Sequence, residues 1–210
     1  MYLASKDDKF IMVSSTLPSE GKSTVALNLA HSMSLVEKVL LIEADMRRPT
    51  LSLVRNLPLR QKGLSNYLRD DIELDKCISH IPSSNLDILP AGFVPDMPLE
   101  YLSSAKFEAM LSTLGSVYDK IIIDTAPVAA VSDAFMVGRL VDSTIFVTRA
   151  DSTQIEDVQM SLDRLKAAGI DIAGVVVSKV DVKKVKSYGG GTGYRGYFES
   201  YGYANGQGTR

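Results

Sequence analysis

The stretch VSSTLPSEGKSTVALNLA, residues 13–30, decides the fold of this chain. It ends an apolar run, turns at Gly21-Lys22-Ser23-Thr24 and continues with the apolar spacing of a helix. A glycine-containing turn between a strand and a helix directs backbone N–H groups inward, and the positive end of the helix adds to their attraction for anions. This order of elements therefore predicts a phosphate-binding loop that holds a nucleotide.

The loop supplies most of the predicted nucleotide contacts. Lys22 is placed to reach the β- and γ-phosphates, and the Ser23 hydroxyl is placed to bind Mg²⁺. The full phosphate-loop pattern has glycine five residues before Gly21, and Thr16 stands there, so the strict motif fails at one position. The complete set of predicted contacts is Leu17, Pro18, Ser19, Glu20, Gly21, Lys22, Ser23 and Thr24.

Short apolar runs alternate with helical stretches on both sides of this loop. Strands are predicted at 9–15, 38–44, 86–91, 120–125, 143–149 and 171–179, and helices at 22–36, 99–118, 132–140 and 153–168. The strands are continuous Val/Ile/Leu runs, which is typical of parallel strands buried on both faces. We therefore expect a doubly wound α/β fold of the P-loop NTPase type, with a mostly parallel sheet of roughly seven strands between helices.

Composition narrows the range of partners. The chain has 210 residues, 45% hydrophobic and 23% charged, with a formal net charge of −2, so charge gives no reason to expect a nucleic acid. Its one cysteine, Cys77, cannot form an internal disulfide, which favours a reducing compartment. No apolar run reaches the roughly 18 residues of a membrane span, and no signal peptide opens the chain.

The last 24 residues, 187–210, differ from the rest of the chain: eight are glycine, five are tyrosine, and Leu, Ile, Val and Met are absent. Such a segment cannot bury enough apolar surface to offset the entropy lost on ordering. We predict a disordered tail.

Three carboxylates follow two of the predicted strands. Glu43 and Asp45 come at the end of the 38–44 strand, and Asp124 comes at the end of the 120–125 strand. The C-terminal ends of parallel strands open onto the same edge as the phosphate loop. Because carboxylates repel a triphosphate, a Mg²⁺ ion must lie between them.

The motifs TLPSEGKST, LLIEADMRRP and YDKIIIDTAPV, in this order, resemble those of the bacterial tyrosine kinases of polysaccharide export, the cytoplasmic kinase domains of polysaccharide co-polymerases. The resemblance covers about residues 9–180 and implies Walker A, Walker A′ and Walker B motifs with ATP and Mg²⁺ as cofactors. It implies Lys22 on the phosphates, Ser23 and Asp45 around Mg²⁺, and Asp124 in the water shell of the ion. Glu43 stands where the family usually has an aspartate as candidate general base.

The resemblance also implies how such a chain works. Residues 1–186 would form the kinase domain and 187–210 an autophosphorylation tail, modified between the subunits of a homo-oligomer such as a ring. Its sites would be Tyr188, Tyr194, Tyr197, Tyr201 and Tyr203. Arg47 is a possible contact to a neighbouring subunit or to phosphate. The implied partners are a transmembrane activator, fused or separate, and a tyrosine phosphatase. The implied location is the cytoplasm, at the inner face of the plasma membrane, in capsular or exopolysaccharide synthesis.

Two other functions share these motifs. One is an ATPase switch of the cell-division or chromosome-partitioning (MinD/ParA-like) type, whose signature lysine would stand four residues before Gly21, where this chain has Leu17. The other is an assembly module that binds nucleotide without transferring phosphate. Ser178-Lys179 stands where related folds place an Asn-Lys pair that contacts adenine, so only the resemblance indicates ATP.

Overall fold

The structure is a computed structural model that describes residues 7–51, 62–70, 72–82 and 84–181. The predicted tail 187–210, with its five tyrosines, lies outside the described residues. Within them, seven strands form one sheet in the order β3-β4-β2-β5-β1-β6-β7. The strands are β1 (Phe10–Ser15), β2 (Val39–Glu43), β3 (Ser79–His80), β4 (Leu86–Leu89), β5 (Lys120–Asp124), β6 (Ser143–Arg149) and β7 (Ile172–Ser178). All neighbours pair in parallel except β3 and β4, which confirms the predicted fold class.

Helices cover both faces of this sheet. They are α1 (Lys22–Met33), α2 (Leu64–Arg69), α3 (Pro98–Leu102), α4 (Ala105–Gly115), α5 (Asp133–Gly138) and α6 (Ile155–Ala167), with a 3₁₀ helix at Leu74–Lys76. Along β2, Val39 and Leu41 pack in the core beneath α1, whereas Leu40 and Ile42 pack in the opposite core beneath α4 and α5. This alternation is what a parallel strand between two helical layers requires. None of the helices in the described ranges is long and apolar enough to cross a membrane.

Two expectations about these elements are wrong. The single helix predicted over 99–118 is two helices, because the Ser104 hydroxyl accepts the N–H of Phe107 and caps a new helix. The strand at 171–179 is not buried on both faces. It forms β7 at the edge of the sheet, where Val175 and Val177 are 40% and 55% exposed.

The register of the sheet positions the acidic residues. On β5, Asp124 lies level with Glu43 of β2 on one side and with Val13 of β1 on the other. The phosphate loop leaves β1 two residues after Val13. The C-terminal ends of β2, β5 and β1 therefore place the three predicted motifs side by side at one edge.

Candidate active site

A cavity of about 510 Å³ opens at this edge. Of the eight predicted nucleotide contacts, six line it: Pro18, Ser19, Gly21, Lys22, Ser23 and Thr24. Gly21 has φ +96°, a conformation that glycine adopts without strain, and it is the residue from which α1 begins. Leu17 and Glu20 do not line the cavity. Leu17 is 40% exposed, and the Glu20 side chain turns inward.

Lys22 joins the phosphate loop to both acidic strands. Its ammonium nitrogen Nζ lies 2.8 Å from Oδ2 of Asp45, 3.5 Å from Oδ1 of Asp124 and 3.3 Å from the Ser23 hydroxyl. Burial alone would lower the pKa of Lys22, but the negative charges of Asp124 and Asp45 outweigh burial and raise it. The lysine is therefore a fixed positive charge at the bottom of the cavity.

Asp124 is the most deeply buried of the acids, with no exposed surface. Loss of hydration raises its pKa to about 6, although Lys22 acts in the opposite direction. Its Oδ2 atom is buried and has no hydrogen-bond partner among the described residues. A buried carboxylate oxygen without a donor is suited to a cation or to the water around one.

Asp45 is held beside Asp124 by the main chain. The N–H groups of Ala44 and Asp45 donate to the Asp124 carbonyl over 2.8 and 3.1 Å, and Oδ1 of Asp45 accepts the N–H of Arg48. Across the described part of the chain, no group of three or more His, Cys, Asp or Glu side chains could hold a metal ion alone. The donor set of Ser23, Asp45 and Asp124 fits Mg²⁺, which binds one or two carboxylates and takes its other ligands from phosphate and water.

The structure does not bring Glu43 to the cavity. It is 1% exposed, and its carboxylate accepts three backbone N–H groups, from Thr50 at 2.5 Å, Leu51 at 2.7 Å and Ala91 at 3.1 Å. Burial raises the pKa of Glu43, and the three donors oppose this rise. In this arrangement the carboxylate fixes the loop that follows Asp45, and its oxygens face these backbone N–H groups.

Arg47 also has a partner within the chain. Its Nε and Nη2 atoms lie 2.8 and 3.1 Å from the two carboxylate oxygens of Asp133, at the start of α5. Asp133 is 1% exposed, whereas 39% of the Arg47 side chain is exposed at the rim of the cavity. This pair ties the Walker A′ loop to the segment after β5.

Sequence reasoning missed part of the cavity wall. The missed residues are Thr50, Ala126, Pro127, Ala130 and Val131. Arg48 and Lys179 also line the cavity. Most of the missed residues lie within a few residues of the Walker A′ or Walker B motif, so closeness to a motif is the signal that could have found them. Lys179 follows β7 directly, at the position that the sequence singled out for base contact.

Comparisons with known proteins identify the family to which this chain belongs. A family model described as an AAA domain matches residues 8–168. The tyrosine-protein kinase CpsD of Streptococcus agalactiae serotype III (strain NEM316) is 32% identical over 88% of this chain and 79% of its own length. The chain belongs to the bacterial tyrosine kinase family. The crystal structure of the VpsO kinase domain superposes on this chain with a TM-score of 0.81 at 40% identity, covering 84% of this chain and 87% of that one.

Two further comparisons show how much of a longer relative this chain spans and which other proteins share its fold. The tyrosine-protein kinase etk of Escherichia coli (strain K12) is 34% identical over 87% of this chain, but this chain spans only 25% of etk. The septum site-determining protein MinD of Pyrococcus horikoshii, solved with Mg-ADP, has a TM-score of 0.68 at 27% identity, over 80% of this chain and 69% of MinD. The fold of this chain is thus shared with cell-division ATPases, and it is a nucleotide-binding P-loop fold.

Proposed function

We propose that this chain is the catalytic domain of an ATP-dependent protein-tyrosine autokinase. The observation that carries the proposal is the position of Lys22, which contacts Asp45 and Asp124 at the bottom of a cavity lined by the phosphate loop. The cavity volume of about 510 Å³ falls within the range usual for small-ligand sites.

The proposed roles follow from charge and position. Lys22 binds the β- and γ-phosphates, and the loop N–H groups orient the triphosphate. Ser23 and Asp45 hold Mg²⁺, with Asp124 in its water shell. When bound, the ion offsets the repulsion between the phosphates and the two carboxylates. Phosphoryl transfer has a loose transition state, so positioning and charge neutralisation by these residues supply most of the catalysis.

Proton transfer from the acceptor tyrosine has a smaller part. A tyrosine hydroxyl has a pKa of about 10, so few are ionised at neutral pH. A carboxylate that accepts the proton late in the reaction raises the rate about 10²-fold. The family resemblance implies this role for Glu43, but that carboxylate would first have to release one of its three N–H donors. We propose that Glu43 supports the reaction chiefly by fixing the loop that carries Asp45.

The acceptors we propose are the five tail tyrosines, Tyr188, Tyr194, Tyr197, Tyr201 and Tyr203. A Gly-rich chain of this length has a root-mean-square span of about 25–29 Å. A folded domain of this size has a radius of gyration of about 16 Å, so the tail of one subunit reaches the site of a neighbour packed beside it. Five phosphotyrosines add roughly −7 to −10 charges, which would drive modified tails from an acidic site and separate the oligomer.

Autophosphorylation of two complementary full-length variants tests the proposal. One is Lys22→Met, which keeps the tyrosines. The other carries phenylalanine at all five tail tyrosines and keeps Lys22. Each is purified from a host without other tyrosine kinases, treated with phosphatase and incubated with ATP and Mg²⁺. When each variant is incubated by itself, we expect no phosphotyrosine in its tail. When the two are mixed, we expect the Lys22→Met chain to gain phosphotyrosine.

The possible outcomes separate the alternatives. Phosphotyrosine on the Lys22→Met chain alone would refute the site. If the wild-type chain hydrolyses ATP but forms no phosphotyrosine, it is an ATPase switch, the alternative that its similarity to MinD favours. Nucleotide-dependent assembly without hydrolysis or transfer would identify an assembly module.

The setting of the kinase is proposed from its relatives. Because this chain spans a quarter of etk, we propose that it works with a transmembrane activator, fused to it or separate, at the cytoplasmic face of the plasma membrane. A tyrosine phosphatase would reset the tail. The process served would be capsular or exopolysaccharide synthesis.

A further inference from the structure

Glu20 is an unexpected residue for a loop that binds phosphate. It stands between Ser19 and Gly21, both of which line the cavity, and a carboxylate pointing the same way would repel an anion. The structure places it inward instead, and only 2% of the residue is exposed. A buried carboxylate requires donors to offset its loss of hydration.

The donors come from the loop itself and from the far end of β6. One carboxylate oxygen, Oε2, accepts the N–H of Leu17 over 2.5 Å. The other, Oε1, accepts the N–H of Arg149 over 3.2 Å, the hydroxyl of Thr148 over 3.4 Å and the hydroxyl of Thr153. The same side chain therefore joins the phosphate loop to the segment between β6 and α6.

The end of β7 is attached to the same loop. The Ser178 hydroxyl donates to the Glu20 carbonyl, and Nζ of Lys179 donates to the Ser19 carbonyl over 2.9 Å. Lys179 also lines the cavity. Three chain segments are thus connected around Glu20, and two of them contribute to the wall of the nucleotide site.

Backbone conformation marks the same three segments. Among the described residues, the non-glycine residues with positive φ are Ser19 at 66°, Asp151 at 55° and Lys179 at 53°. One lies in the phosphate loop, one after β6 and one after β7. Residues persist in this conformation when surrounding contacts determine it, and such residues cluster at functional sites.

We propose that Glu20 is a positioning residue for nucleotide binding. Its buried carboxylate holds the phosphate loop against the segments after β6 and β7, so that the loop N–H groups already face the phosphates before nucleotide arrives. The proposal takes its ligand, a nucleoside polyphosphate, from the proposed function. It concerns binding and does not require phosphate transfer.

Substitution to glutamine tests the role with little change in shape. In Glu20→Gln, one carboxylate oxygen becomes an NH₂ group that faces N–H or hydroxyl donors, so the inward position is lost or weakened. Thr153→Ala removes one donor and keeps the acid. Asp142→Asn is the matched control, because Asp142 accepts the N–H groups of Lys9 and Phe10 over 2.8 Å at the opposite end of β1.

Two measurements on the full chain decide the matter: the Kd for Mg-ADP by calorimetry, and hydrogen exchange of residues 17–24 without nucleotide. We expect Glu20→Gln to raise Kd about tenfold and Thr153→Ala about threefold, because charge-assisted hydrogen bonds outweigh neutral ones. Exchange of residues 17–24 should quicken in both variants. Asp142→Asn should change neither quantity, although it lowers the melting temperature.

A purely structural role predicts a different pattern. If Glu20→Gln lowers the melting temperature as Asp142→Asn does but keeps the wild-type Kd and loop exchange, the proposal is overturned. If Glu20→Gln does not fold, Thr153→Ala decides by the same two measurements. Should the wild-type chain bind Mg-ADP but form no phosphotyrosine when given ATP and Mg²⁺, the kinase assignment fails, while the effect of Glu20 on Kd is still measured.

Discussion

Replacing Asp124 by asparagine is expected to abolish kinase activity and, at the same time, to stabilise the protein without nucleotide. Asp124 is fully buried, and loss of hydration raises its pKa from 3.8 to about 6. Keeping its charge at neutral pH therefore costs folding free energy. A residue retained at such a cost is typical of a functional site.

The size of the effect follows from the change in pKa. A difference of about two pKa units corresponds to roughly 3 kcal/mol of unfolding free energy at neutral pH. Asparagine removes this cost, but burying its amide and losing the ion pair with Lys22 offset part of the benefit. The net gain in unfolding free energy is about 2 kcal/mol. For a domain of this size, each kcal/mol corresponds to about 2–4 °C, so the melting temperature should rise by about 4–8 °C.

The gain must depend on pH in one direction. Because the pKa of Asp124 is higher in the folded state than in the unfolded state, proton binding favours the folded wild type as pH falls through 6 towards 4. The advantage of Asp124→Asn should therefore be largest near pH 7 and shrink by about pH 4.5. Thermal unfolding by circular dichroism at both pH values measures it.

Asp119→Asn is the control, since Asp119 is exposed and accepts only the N–H of Lys38 among the hydrogen bonds described for it. It should lower the melting temperature slightly at both pH values. An Asp124→Asn protein that melts below the wild type at pH 7 would refute the reasoning, because the buried charge would then be a net stabiliser. Adding Mg-ADP should raise the melting temperature of the wild type and not that of Asp124→Asn.

Three further predictions concern the neighbours of this site. Glu43→Asp should keep measurable autophosphorylation but melt at a lower temperature than the wild type. Glu43→Gln presents an NH₂ group to the same three donors, so it should lose about 2 kcal/mol of unfolding free energy. Equal urea midpoints for Glu43→Gln and the wild type would contradict this. Arg47→Ala should cost about 2 kcal/mol in urea unfolding because it leaves Asp133 buried without its partner, and Arg47→Lys should restore only part, since lysine lacks the two-pronged guanidinium. Phosphorylated wild-type protein should have a lower mass by light scattering than Lys22→Met at equal concentration, and equal masses would end the account of tail-driven disassembly.

The strands around the site could be predicted because each is a continuous apolar run that ends in a chemically informative residue. β1 ends at the phosphate loop and β5 ends at Asp124, so hydrophobicity and motif agree on the same position. β3, with two residues, and α2, with six, were not predicted. Elements this short have no periodicity to detect, and their contacts with β4 and α3 supply what local sequence does not.

The directions of two acidic side chains could not be predicted. Glu20 was predicted as a nucleotide contact because it lies in the phosphate loop, and Glu43 as a candidate general base because the family resemblance implies that role. Their orientation is set by backbone N–H groups far away in sequence, from Arg149 for Glu20 and from Ala91 for Glu43. A motif indicates which residues are near a ligand, but the distribution of unpaired donors in the fold decides which of them turn towards it.

The two hydrogen bonds from Ala44 and Asp45 to the Asp124 carbonyl have an evolutionary consequence. They are main-chain contacts, so nearly every point substitution leaves them in place, and only a proline or an insertion would remove them. The spacing of Asp45 and Asp124 is therefore inherited with the fold. Chimaeras that exchange this segment between relatives should therefore retain the alignment of Asp45 with Asp124.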